Sequence, residues 1–185
     1  MTYPAEYINY LVHFHGDRDY FECHEELEEL WKQDPKGKRK HHLVGLIQIA
    51  VSLYHHRRGN FSGAFRMMAN AISIIEQNRK PLKEFGLNTE TLIPILKERL
   101  NDIQNHVAYK SFNLPIGHPA LIRICNEQCE SLGFIWGSES QLDNIELIEK
   151  HKRRDRSEVI AERELQKLKK AQAPCSSPKN LSDTD

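Results

Sequence analysis

HHLVGLIQIAVSLYHHRRGN, residues 41 to 60, is apolar around most of a helical circumference. At the roughly 100° per residue of an α-helix, Leu43, Val44, Leu46, Ile47, Ile49, Ala50, Val51, Leu53 and Tyr54 cover about two-thirds of it. A helix this apolar belongs at the centre of a protein, with other elements on several sides. Gly59-Asn60 ends it, because Gly adopts the left-handed C-cap conformation and Asn can N-cap the segment that follows. The next helix, about 61–77, then folds back as the second arm of an αα-hairpin. Gly63 and Ala64, in its first turn, would let the two backbones approach closely.

The periodicity on either side is also helical, with no convincing alternating strand. One helix is expected from about Pro4 to His15, ended by Gly16. Another starts at Asp17 or Asp19 and runs to about Lys32. QDPKGK is a loop, and Pro81 and Gly86 bracket a second one. Further helices are expected over about 89–107 and 119–132, with YKSFNLPIGHP as an irregular connector between them. Residues 138–172 are densely charged and read as helical, with a restart at Asp155 and Glu158, and APCSSPKNLSDTD has the composition of a disordered tail. These features predict an all-α fold, a compact multi-helix bundle around a central αα-hairpin with a charged helical C-terminal extension. The expected divisions are 1–110, 111–172 and 173–185.

Composition narrows the function classes. Lys plus Arg and Asp plus Glu each total 26 of the 185 residues, so a formal net charge of zero gives no global electrostatic case for nucleic acid or an anionic membrane. No stretch approaches the roughly 18 apolar residues of a membrane span. The N-terminal residues lack the pattern of a signal peptide. Cys23, Cys125, Cys129 and Cys175 suit neither a zinc ribbon nor a disulfide scaffold, so a cytoplasmic protein with reduced thiols is expected.

FECHEELEELW, residues 21 to 31, divides by face. Tyr20, Cys23, Leu27, Leu30 and Trp31 cluster on one side, and Glu22, Glu25, Glu26 and Glu29 on the other, where a solvated surface accounts for them. His24 and Glu28 do not join these glutamates: both lie on the apolar arc, beside Tyr20, Leu27 and Trp31. A buried, unpaired carboxylate costs several kcal/mol, so Glu28 needs a partner or a cation. One helical turn apart, His24 and Glu28 can converge on one point, as a His–Glu hydrogen bond or as half of a divalent-metal site. On the hairpin helix, Gly45, Gln48, Ser52 and His55 form a narrow stripe. The stripe is either the sliver of that helix that meets water or the face that answers His24 and Glu28. In the second case His55 is the third ligand, Gln48 a supporting hydrogen-bond partner, and Tyr20 and Trp31 pocket walls. His13, His15 and His56 read as surface or capping residues, and Cys23 as a small core residue.

DYFECHEELEELW (19–31) followed by GLIQIAVSLYHHRRGNFSGA (45–64) resembles the prokaryotic DUF309 family, over about residues 10 to 80. The motif H-x-x-x-E-x-x-W is supplied by His24, Glu28 and Trp31. The resemblance implies an all-helical domain and a metal-binding role for His24 and Glu28, with the biochemical function undefined. Nothing transfers to residues beyond about 110.

Other signatures fail on spacing. A zincin needs a second histidine where Glu28 stands, and a di-iron bundle needs a repeated Glu-x-x-His. The basic runs GKRKHH and HHRRGN lie at opposite ends of one helix, and HKRRDR has no interleaved aromatic residues to stack bases. Apolar positions within 138–172 suggest docking on the core, on a protein partner or on a second copy. Two functional expectations follow. The chain either binds one divalent metal ion (zinc, manganese or iron) through His24, Glu28 and His55, or serves as a non-catalytic interaction module with the same residues in a buried polar network.

Overall fold

The computed structural model describes residues 2–153. The chain divides into two compact units, Met1–His151 and Lys152–Asp185. The first unit is all-α. Among the described residues there is no strand, only an isolated antiparallel bridge between Leu87 and Ile116. The expected division at residue 110 falls inside this unit.

The hairpin is built as the sequence implies, from α3 (His41–Arg57) and α4 (Phe61–Gln77). Gly59 turns the chain at φ +69°, and the Asn60 side chain caps α4 by accepting from the Gly63 backbone N–H at 3.0 Å. The arms approach closely at two places. Ser52 Oγ donates to the Ala64 carbonyl at 2.7 Å, which satisfies a buried hydroxyl and fixes the register. Gly45 lies against α4, where a Cβ would come within 3.1 Å of Ile74 and 3.2 Å of Ile75. Gly45 and Ser52 therefore face the hairpin partner rather than water or the glutamate helix, and the expected stripe is not one surface.

α2 (Tyr20–Gln33) packs across α3, and α1 (Ala5–His15) packs on α2. Leu27, Leu43, Leu46 and Leu53 are fully buried at this junction, each contributing about 1.5–3 kcal/mol relative to exposure. α6 (Thr89–Gln104) covers α4, and α7 (Pro119–Ser131) lays its buried stripe of Leu121, Cys125 and Cys129 on the α1 side. The loop expected around Pro81 contains a short helix, α5 (Arg79–Glu84). Pro81 sits in its first turn, where a missing N–H leaves no bond unmade.

The charged helix expected from residue 138 does not start there. Ser138 hydrogen-bonds through its Oγ to the Gly16 carbonyl, its own carbonyl accepts from Arg18 Nε, and Ser140 N donates to Ser111 Oγ. These tertiary bonds hold the backbone in an irregular, non-helical path up to Asn144, which caps the short helix α8 (Ile145–Ile148) and precedes α9 (Lys150–Arg153). The rest of the expected extension, the restart at residues 155 and 158 and the tail lie outside the described residues.

Two histidines are more buried than their sequence positions suggested. His15 is 1% exposed and stacks on Trp136 with centroids 4.1 Å apart and planes 5° from parallel. His56 is 2% exposed, and its Nε2 lies 2.8 Å from the Val107 carbonyl. In both cases a connector far along the chain folds over the ring.

Candidate metal centre

Asp19 starts α2 by accepting from the backbone N–H groups of Phe21 and Glu22, both at 3.1 Å. Lys150 also reaches it, with Nζ 2.5 Å from Asp19 Oδ2 and 2.6 Å from Glu22 Oε1. This cap fixes the helical phase that places His24 and Glu28 one turn apart. Their side chains meet at the rim of the core rather than inside it, with His24 31% and Glu28 32% exposed. Glu28 is therefore not the buried, unpaired carboxylate the sequence suggested. His24 Nε2 lies 3.7 Å from Glu28 Oε2, beyond hydrogen-bond length, and Lys32 Nζ lies 2.9 Å from Glu28 Oε1.

A third side chain joins this pair, and it is not His55. Glu25 Oε1 is 3.0 Å from His24 Nδ1. His24, Glu25 and Glu28 each offer a ligand atom, all within 4.8 Å of one another. Face assignment puts Glu25 with the solvated glutamates. Its carboxylate nevertheless curls back to the neighbouring imidazole, because two methylenes let it reach across the helix surface. Adjacency to His24 was the available signal.

His24 also belongs to a second feature. It lines a cavity of about 190 Å³ together with Tyr20, Tyr54, His55 and Arg58. His55 thus shares a cavity with His24 without entering the carboxylate cluster. Its Nδ1 accepts from Asn60 Nδ2 at 3.0 Å, so one asparagine both caps α4 and orients this imidazole. Desolvation holds the His55 pKa below 6.5, with Arg58, His151 and Arg66 pushing the same way.

The remaining predicted site residues lie apart from the cluster. Tyr20 contributes its ring to the cavity wall. Its hydroxyl bonds Tyr109 at 2.6 Å, and burial raises its pKa well above 10. Trp31 is half-buried against the core, with the Arg39 guanidinium 4.1 Å above its ring, and lines neither the cavity nor the cluster. Gln48 is half-buried, and its Oε1 has no hydrogen-bond partner. Nothing in the sequence marks Arg58 and Tyr54 as site residues: one belongs to a basic run and the other to an apolar arc.

The family model for DUF309, described as a domain of unknown function, matches residues 7–67. The chain is also similar to the uncharacterized protein YpuF of Bacillus subtilis (strain 168), 49% identical over 162 residues, which is 88% of this chain and 93% of that protein. The chain belongs to the DUF309 family. The matched segment holds α2, α3 and the start of α4, and so contains all three residues of the candidate cluster and the Asn60 cap. No solved structure matches this DUF309 chain significantly.

Proposed function

We propose that this protein binds one divalent metal ion through His24, Glu25 and Glu28. The observation that supports the reading is the convergence of one imidazole and two carboxylates within 4.8 Å at a rim that an ion can reach from solvent. One nitrogen and two carboxylate oxygens suit zinc, manganese or iron, and three protein ligands leave coordination positions for water. Bound there, the ion would supply Lewis acidity and an activated water. The chain's own part is to present the ligands from one rigid turn of α2, with Lys32 as the cation that the ion displaces from Glu28.

Elemental analysis of full-length protein purified without chelator tests this. About one ion per chain is expected, lost in His24→Ala and in Glu28→Ala and reduced in Glu25→Gln. Substoichiometric metal, unchanged in the variants, overturns the reading.

The Glu28–Lys32 contact at 2.9 Å favours a second reading. In it, these side chains form a polar network on the surface of a non-catalytic interaction module. The partner, or a second copy of the chain, would dock through residues 138–172, most of which lie outside the described residues. Pull-down and sizing of protein truncated after residue 137, compared with the full chain, test that reading. Unchanged partners and an unchanged oligomeric state would exclude it.

A further inference from the structure

The cavity that His24 shares with α3 has features the metal reading leaves unexplained. The first is Arg58, at the C-terminal cap of α3. Its guanidinium carbon sits 5.2 Å from the centroid of the Tyr54 ring, and among the described residues no carboxylate pairs with it. The second is the Tyr54 hydroxyl. Tyr54 is only 6% exposed and lines the cavity, yet its oxygen is buried with no hydrogen-bond partner. Such orphans are uncommon in native proteins, since the lost hydration is normally replaced by a partner.

The third is the chemical character of the lining. Phe21, Tyr20, Tyr54 and Val51 make the walls apolar or aromatic, and the basic groups are three histidines and an arginine, with no carboxylate in the lining. His55, its Nδ1 already bonded to Asn60, keeps Nε2 without a partner among the described residues. A half-buried cationic group beside an aromatic wall and an unused hydroxyl is the pattern of a site for an anion carried on a flat, apolar body. At about 190 Å³ the space suits a single ring rather than a drug-sized ligand.

We propose that this cavity binds a small organic oxyanion, a carboxylate or phosphate attached to one aromatic ring. Arg58 is the charge partner, the Tyr54 hydroxyl a hydrogen-bond donor, and Tyr20 and Phe21 the ring contacts. The site goes beyond the metal reading and needs no ion, because none of these four residues belongs to the carboxylate cluster.

The test uses full-length protein stripped of metal with EDTA, so failure of the metal reading leaves it intact. Histidine ring signals are followed by NMR during titration with benzoate, phenyl phosphate, inorganic phosphate and benzyl alcohol. Saturable shifts at His55 are expected for benzoate and phenyl phosphate. Benzyl alcohol and inorganic phosphate should bind at least about tenfold more weakly, since each lacks half of the recognised group. Arg58→Met should weaken binding about tenfold, and Tyr54→Phe about threefold, with thermal melting showing that both variants stay folded. No saturable shift with either aromatic acid up to about 20 mM would overturn the proposal. So would an affinity unchanged by Arg58→Met, or inorganic phosphate binding as tightly as phenyl phosphate.

Discussion

Arg57 Nη1 donates a 2.9 Å hydrogen bond to the carbonyl oxygen of Arg18, so two buried arginines are tied end to end. Arg18 is 1% exposed and left-handed, at φ +59°. Its guanidinium donates to the carbonyls of Phe14, Phe112 and Ser138 and to Asn113 Oδ1, at 2.7–2.9 Å. Among the described residues no carboxylate pairs with it, so carbonyl dipoles solvate the charge. Arg57 extends the chain to Ser140 Oγ at 2.9 Å, with its guanidinium carbon 4.9 Å from the Tyr20 ring centroid. The pair pins the connectors after α6 and α7 to the turn that precedes α2.

Arg18→Met should therefore destabilise by about 3–5 kcal/mol, as expected when a buried network loses its central donor and leaves carbonyls unpaired. The left-handed backbone adds strain of about 1 kcal/mol that only the network offsets. Urea unfolding of the variant would check this. A loss below about 1 kcal/mol would show that the connectors are held by other contacts.

Lys32 and a metal ion compete for Glu28, because Lys32 Nζ sits 2.9 Å from Glu28 Oε1. The lysine is 57% exposed, so its hold on the carboxylate is worth at most about 1 kcal/mol. Lys32→Met should accordingly raise the affinity for manganese or zinc about two- to fivefold in a calorimetric titration. An unchanged affinity would remove Glu28 from the ligand set.

Periodicity carried the reading wherever neighbours in sequence decide the structure. The α3–α4 hairpin, the Gly59-Asn60 turn and the Asp19 cap depend on residues within one or two turns of each other, and each stands as the pattern implied. The pattern is silent where a distant segment decides. Trp136 covers His15 and Val107 covers His56, and no regularity around residues 13 to 15 or 55 to 56 announces either. The site divides in the same way. The spacing of His24 and Glu28 marks the cluster, but the Glu25 contact depends on side-chain reach rather than on the direction of its Cβ. The rims of the cavity come from α2, α3 and α9, and their juxtaposition is tertiary.

Gly45 tests the hairpin separately. Replacing glycine in a helix interior by alanine gains about 1 kcal/mol of helix propensity. Here the added methyl would sit 3.1 Å from Ile74 Cγ2 and 3.2 Å from Ile75 Cγ1, so those side chains must give way. Gly45→Ala should come out near neutral. Gly45→Val adds two further methyls at a packed crossing and should cost about 1–3 kcal/mol by thermal unfolding. A stabilised Gly45→Val variant would show that α3 and α4 are less closely apposed than this geometry requires.

His15 gives the protein a specific acid sensitivity. Burial, reinforced by the nearby Arg18 charge, lowers its pKa from 6.5 to about 3. Asn113 offsets part of this but makes no hydrogen bond of ordinary geometry to the ring, whose two nitrogens are unpartnered. The unfolded chain takes up the proton near pH 6.5, and the folded chain holds off until about pH 3. Between those values the unfolded state binds more protons, so stability is full above pH 6.5 and falls by about 1.4 kcal/mol per unit as the pH drops. His15→Phe keeps a ring against Trp136 and removes the titration. Between pH 7 and 4.5 the wild type should lose about 2–3 kcal/mol more than this variant in urea unfolding, because His42, His55 and His56 titrate alike in both proteins. An equal loss in the two proteins would mean that protonated His15 is solvated in the folded state, which the stacked geometry does not allow.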